Sequence, residues 1–72
     1  MRMIGYIYGR EAIVAAIRED GKIVSDTDPP VIIGHVEGTN VFDRKGRLIG
    51  RLERRGEELA GGENLAEHLI RT

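Results

Sequence analysis

A chain of 72 residues, 40% hydrophobic and 32% charged, describes one small folded domain. At this size a core alone supplies only about 3–5 kcal/mol of net stability. The lack of cysteine excludes disulfides and thiolate metal sites. No apolar run approaches the roughly 20 residues of a membrane span, and a net charge of −1 gives no global pull toward nucleic acid or anionic lipid. Met1-Arg2-Met3-Ile4 carries no signal-peptide pattern, so the expected setting is the cytoplasm.

In chain order, Ile7-Tyr8 predicts a strand. The stretch 11–20 admits two readings. Its alanines, with Ile13, Ala16 and Ile17 on one face and Gly21 as the C-terminal stop, suit a short helix. The β-rich neighbours Ile7-Tyr8 and Ile23-Val24 need partners and favour a strand, which is the reading preferred here. Asp20-Gly21 is a hairpin signal, since both residues tolerate positive φ. Asp28-Pro29-Pro30 breaks any helix and forces an extended turn. Two further units follow, Val31-Ile32-Ile33-Gly34-His35-Val36 before Glu37-Gly38 and Arg47-Leu48-Ile49-Gly50-Arg51-Leu52 before Arg55-Gly56. Gly21, Gly38 and Gly56 fall 17 and 18 residues apart, a spacing that predicts a repeated hairpin plan. The fold class expected is mainly β, a small antiparallel hairpin-repeat barrel or meander over 1–60. A short C-terminal helix over 61–72 then docks on its own sheet or on a neighbouring subunit. Gly61-Gly62 reads as a flexible joint, with Leu65, Leu69 and Ile70 as the helix's apolar stripe. Glu63 and Arg71 suit the two ends of its dipole.

The stretch from 8 to 56 resembles the 4-fold β-flower family of small bacterial domains. The matching residues are Ile17-Arg18-Glu19-Asp20-Gly21-Lys22-Ile23 and the run from Val36-Glu37-Gly38 through Val41-Phe42-Asp43-Arg44-Lys45-Gly46-Arg47-Leu48-Ile49-Gly50. Arg51 stands where that pattern has an aromatic, and Pro29-Pro30 replaces a glycine-bearing turn. The resemblance implies a bacterial source and compact pseudo-symmetric hairpins, and it brings no catalytic residues. A shorter resemblance, over 41–52, is to the opening hairpin of a PRC-barrel domain.

Chemistry-bearing residues are sparse. His35 and His68 fall in different elements. His35 alternates with aliphatics as a solvent-facing strand residue, and His68 sits near a helix C-terminus. Ser25 is the only serine and lacks a nucleophile elbow. Asp26-Thr27-Asp28 suits a hydrogen-bonded turn better than a cation loop. No enzyme, metal or cofactor is expected. Charge patterning is the informative feature. Arg44, Lys45, Arg47, Arg51, Arg54 and Arg55 outnumber the single Glu53 over 44–55, a local +5, while 56–67 holds four glutamates and no base. Even spacing predicts Arg47 and Arg51 on one strand face, opposite Leu48 and Leu52.

Such a basic face can contact phosphates, although this stretch lacks the stacking aromatics of a single-strand binder. The alternatives are an acidic protein partner, or the acidic tail folding back on the arginines. Consecutive apolar residues at 12–17 and 31–33 call for burial on both strand faces, which one small barrel cannot supply. A homo-oligomer is therefore expected. The function expected is a non-enzymatic binding or assembly module acting through homo-oligomerisation, with nucleic-acid binding through 44–55 as the alternative.

Overall fold

The structure, a computed structural model, describes residues 2–71. Its elements are β1 (Met3–Tyr8), β2 (Ile13–Arg18), β3 (Lys22–Ser25), β4 (Ile32–Glu37), β5 (Asn40–Asp43), β6 (Leu48–Arg51), β7 (Glu53–Arg55), β8 (Glu58–Gly61) and the helix α1 (Glu63–Arg71). The strands form one sheet in the order β6-β5-β4-β3-β2-β1-β8-β7, curled into a nearly closed barrel. The mainly β class with a C-terminal helix agrees with the sequence reading. No helix among the described residues is long and apolar enough to cross a membrane.

Residues 13–18 are strand. Ala15, Ala16 and Ile17 pair with Ser25, Val24 and Ile23 on one side, and with Ile7, Tyr6 and Gly5 on the other. Two neighbours and an inward Ala15 and Ile17, both fully buried, outweigh the local helical preference of the alanines. β1 also pairs in parallel with β8, Gly5 opposite Leu59, the one departure from antiparallel pairing. A Cβ at Gly5 would run into the Leu59 carbonyl oxygen, so glycine is what permits this approach.

Leu52 alone separates β6 from β7, yet these lie at opposite ends of the strand order. Residues 48–55 are thus one kinked path, pairing first with β5 and then with β8. At the kink the Leu52 N–H donates to the Thr39 carbonyl at 2.8 Å while its side chain enters the core. Closure of the barrel is built into this covalent path.

The turns fall into two kinds. Gly38 and Gly56 each open a two-residue hairpin loop with φ of +63°, as a turn with positive φ at its first position requires. Gly21 and Gly46 instead follow a tighter bend, each N–H bonding the carbonyl three residues back, with φ of +88° and +80°. The near-regular spacing of Gly21, Gly38 and Gly56 therefore joins unlike turns. Gly21 is equivalent to Gly46, and Gly38 to Gly56.

Helix α1 lies against β1, β4, β5 and β6 of its own chain. Leu65, Ala66 and Leu69 are buried in the same core as Ile7, Ile17, Ile23, Ile33, Val41, Leu52 and Leu59. Ile70, expected in the stripe, is 64% exposed, and Ala66 takes the third place. Gly61 is no flexible joint. It is buried in β8, where an added Cβ would lie 3.0 Å from both Leu52 and Leu65. Gly34 meets Leu69 in the same way, at 3.1 Å, and Gly50 meets Leu65 at 2.6 Å. The leucines of α1 sit on gaps left by three glycines.

This packing predicts an ordering in urea unfolding. Leu69→Ala removes a fully buried side chain and is expected to cost about 2–5 kcal/mol. Gly34→Ala drives a methyl into the Phe42 carbonyl and Leu69 and is expected to cost about 1–3 kcal/mol. Gly62→Ala meets nothing within 4 Å and changes only the residue that caps α1, whose carbonyl accepts the Ala66 N–H, so it is expected to cost less than about 1 kcal/mol. Equal effects at Gly34 and Gly62 would contradict the glycine-floor account.

Candidate functional site

The basic residues of 44–55 divide by element. Arg44 and Lys45 occupy the β5–β6 turn, Arg47 follows it, Arg51 ends β6, and Arg54 and Arg55 lie on β7 beside β8. Expected even spacing fails in β6. Phe42 pairs with Leu48 but Val41 pairs with Gly50, so Ile49 is an extra residue in the ladder. A bulge of this kind resets which side chains share a face. Leu48 consequently stands 61% exposed on the same outer side as Arg51, and not opposite it.

The turn that carries Arg44 and Lys45 is organised by Asp43, the one buried charged residue among those described, 2% exposed. Its Oδ1 accepts from the Lys45 N–H at 2.8 Å and the Arg47 N–H at 3.0 Å, and its Oδ2 from the Arg47 Nε at 3.2 Å. The Arg47 backbone bond is the largest influence holding this carboxyl below its ordinary value of 3.8, with burial opposing and the Lys45 N–H and Arg47 guanidinium assisting.

The acidic stretch 56–67 returns beside β7, with Glu58 opposite Arg55, but among the described residues none of its glutamates forms an ion pair with the basic residues of 44–55. Glu63 pairs with Arg10 at 3.7 Å, and Arg55 pairs with Glu53 at 3.5 Å, all exposed. Lys22, Arg44, Lys45, Arg51 and Arg54 make no ion pair with another described residue.

Register places an unforeseen row beside this basic turn. Lys22 pairs with His35, His35 with Phe42, and Phe42 with Leu48, so four strands contribute one line of side chains. The His35 and Phe42 rings stack at 4.8 Å between centroids and 8° between planes. His35 is thus half-buried against an aromatic neighbour, and its Nε2 lies 3.2 Å from Glu37. An open concavity of about 360 Å³ is lined by Lys22, Ile32, Gly34, His35, Asp43 and Arg44. Sequence spacing gave no sign of it, because only the strand register brings Lys22, His35 and Arg44 together.

A second concavity, of about 480 Å³, is apolar. Ile13, Val31 and Ile70 line it, 38%, 48% and 64% exposed, above Val14, Ile33 and Leu69. Asp26 and Arg44 stand on its rim. The apolar runs at 12–17 and 31–33 therefore bury only part of their side chains within one chain. Ala15, Ile17 and Ile33 are inside, whereas Ile13, Val31 and Ile32 are not.

The remaining candidates are tied into structure. Ser25 Oγ accepts from the Val31 N–H at 3.0 Å and lies 2.6 Å from Thr27 Oγ1, which donates to the Pro29 carbonyl at 3.0 Å. With the single Thr27 proton committed to Pro29, the Ser25 proton goes to Thr27. These hydroxyls, and not Asp26 or Asp28, close the turn before the prolines, where the Asp28-Pro29 bond is cis. Among the described residues no three His, Asp or Glu side chains group as metal ligands.

No family model matches the chain, and no curated protein or solved structure matches it either.

Asp43 sets a pH dependence with a definite sign. A carboxyl held below its unfolded value contributes stability above that value and loses it as pH falls through the lower native one. The contribution is thus intact at neutral pH and declines from the ordinary value of 3.8 downward. Thermal melts across the acid range are expected to show a shallower loss for Asp43→Asn than for the parent, with the variant less stable at neutral pH. Parallel acid limbs would refute the role given to Asp43.

Proposed function

We propose that this domain is a non-enzymatic binding and assembly module whose copies associate through the Ile13–Val31–Ile70 concavity. The observation that carries the reading is the grouping of three exposed aliphatic side chains, from β2, the segment before β4, and α1, over an otherwise packed core. Scattered exposed aliphatics are ordinary, but a concave group of them marks an interaction surface. Asp26 and Arg44 share its rim, so two copies related by a twofold axis can pair these opposite charges reciprocally, as an isologous contact demands.

Further support comes from the strands. Residues 12–17 and 31–33 carry more apolar side chains than one sheet face covers, and a second copy would cover the remainder. A non-catalytic role suits side chains that are committed elsewhere, Ser25 to its turn and His35 to its ring stack. The pattern that resembles the β-flower domains brings no catalytic residues and suggests a bacterial source, and the cytoplasm is the proposed setting because Met1-Arg2-Met3-Ile4 carries no signal-peptide pattern.

Size exclusion with light scattering tests this. The parent is expected to show a mass above one chain that falls on dilution. Ile70→Glu places a charge in the concavity at a residue already 64% exposed, so the fold is retained, and it is expected to weaken association at least about 10-fold, since burying a charge without a partner is costly. A parent that stays at the mass of one chain at all concentrations would sink the proposal.

A further inference from the structure

We infer that the outer face formed by Lys22, His35, Phe42 and Arg44 is a binding site for single-stranded nucleic acid, one base lodging against His35 with its phosphates on Lys22 and Arg44. This goes beyond the assembly reading and uses a different part of the surface, apart from Arg44, which lines both concavities.

Three observations converge on the site. First, cations gather there without acidic partners. Lys22 and Arg44 line one concavity and form no ion pair with a described residue, while Lys45 is in the same turn and Arg51 ends the adjoining strand. The carboxylate lining that concavity, Asp43, is turned to backbone and to Arg47, and Glu37 lies beside His35. Unpaired cations on a sheet face suit a polyanion.

Second, the cations flank a ring. His35 has one side occupied by Phe42 and also lines the concavity with Ile32, which is 49% exposed. A base that enters meets an aromatic already held in place by a second one, so little side-chain freedom is lost on binding. Stacking of this kind tolerates any base, since each has a π-face. An acidic protein would use the cations but would gain nothing from the ring pair. Base and phosphate together use both.

Third, the concavity is open and is lined from three adjacent strands, β3, β4 and β5, and the turn that follows. Phe42 and Leu48 continue the row across β5 and β6, and Arg51 lies opposite Asn40 on the same outer side. A strand laid across β3 to β6 passes from Lys22 to Arg51 along side chains that point outward. A closed pocket would fit a free nucleotide better than this open track does.

The test is fluorescence anisotropy of a short fluorescein-labelled oligo(dT) titrated with the full chain at low salt, repeated over a salt series. Binding is expected, with a log–log salt slope of about −2, as neutralising about three phosphates of a single strand requires. His35→Ala is expected to weaken binding about 5- to 160-fold, the range for losing one stacked base, and His35→Phe to restore it. Lys22→Glu is expected to weaken binding and to make the salt slope shallower by about 0.7, the share of one single-strand phosphate. Thermal melts establish that each variant is folded, and light scattering on the same samples separates a lost site from lost assembly. No binding up to about 100 μM, the weak end of non-specific association, overturns the inference. So does equal competition by polyglutamate, which would mark an acidic-protein surface, or equal competition by thymidine monophosphate, which would mark a mononucleotide site. A folded His35→Ala that binds like the parent also overturns it.

Discussion

The barrel depends on how closely α1 can approach the sheet. Nine helical residues are too few to be stable alone in water, so the helix exists because Leu65, Ala66 and Leu69 complete the core. That insertion needs space on the strands beneath. Gly34 on β4, Gly50 on β6 and Gly61 on β8 provide it, each at a point where a methyl group would meet Leu65 or Leu69 at 3.1 Å or less. A methyl group there would force Leu65 or Leu69 to shift, and at Gly34 it would also meet the Phe42 carbonyl. Loss of the helix would in turn open the apolar interior, with few other residues to cover it in so short a chain. Sheet and helix are therefore one cooperative unit, although sequence composition divides them at residue 61.

The same economy governs closure. Eight short strands would ordinarily leave two edges bearing unpaired backbone groups. Here β6 and β7 are the edges in pairing order but neighbours in sequence, joined by Leu52. Anchoring Leu52 in the core fixes the kink, and its N–H bond to Thr39 carries the ladder around the corner. The bulge at Ile49 belongs to this arrangement, since an extra residue strengthens local twist where the strand must leave one partner for another. A consequence reaches the surface: the bulge turns Leu48 outward beside Phe42. Geometry that closes the barrel thus also shapes its outer face.

Much of this was legible in local chemistry, and the failures share a cause. Asp20-Gly21, Gly38 and Gly56 read as turns because positive φ favours glycine, and all three adopt it. The C-terminal helix read correctly from its composition and end charges. Its buried stripe did not, because the glycine floor selects Ala66 beside Leu65 and leaves Ile70 outside, and no local pattern contains that floor. Residues 11–20 were ambiguous for the same reason, since their helical and extended preferences are close and the neighbours β1 and β3 decide between them. The parallel pairing of β1 with β8 joins the first and last strands of the chain and has no sequence signature short of Gly5 itself. At the candidate site the cations were visible as a count over 44–55, but Lys22, His35 and Phe42 were not, because their alignment is a property of register across β3, β4 and β5. Local rules find turns and charges; only pairing finds faces.

Charge placement follows from that register. The chain is nearly neutral, yet Lys22, Arg44, Lys45 and Arg51 gather on β3 to β6 without ion pairs, while Glu63 is drawn to Arg10 at the helix start. Intramolecular pairing of exposed charges contributes little, about 0–1 kcal/mol each, so folding stability exerts only a weak pull on where these cations lie. Asp43 is different, because its burial and its three accepted bonds fix the turn that presents Arg44, and tether Arg47 to it. A domain with so small a core commits the one buried carboxylate among its described residues to shaping that turn. The cations it presents make no ion pair with another described residue and lie beside a stacked ring pair, an arrangement that adds little to the fold and that supports the proposal of a ligand with both charge and a π-face.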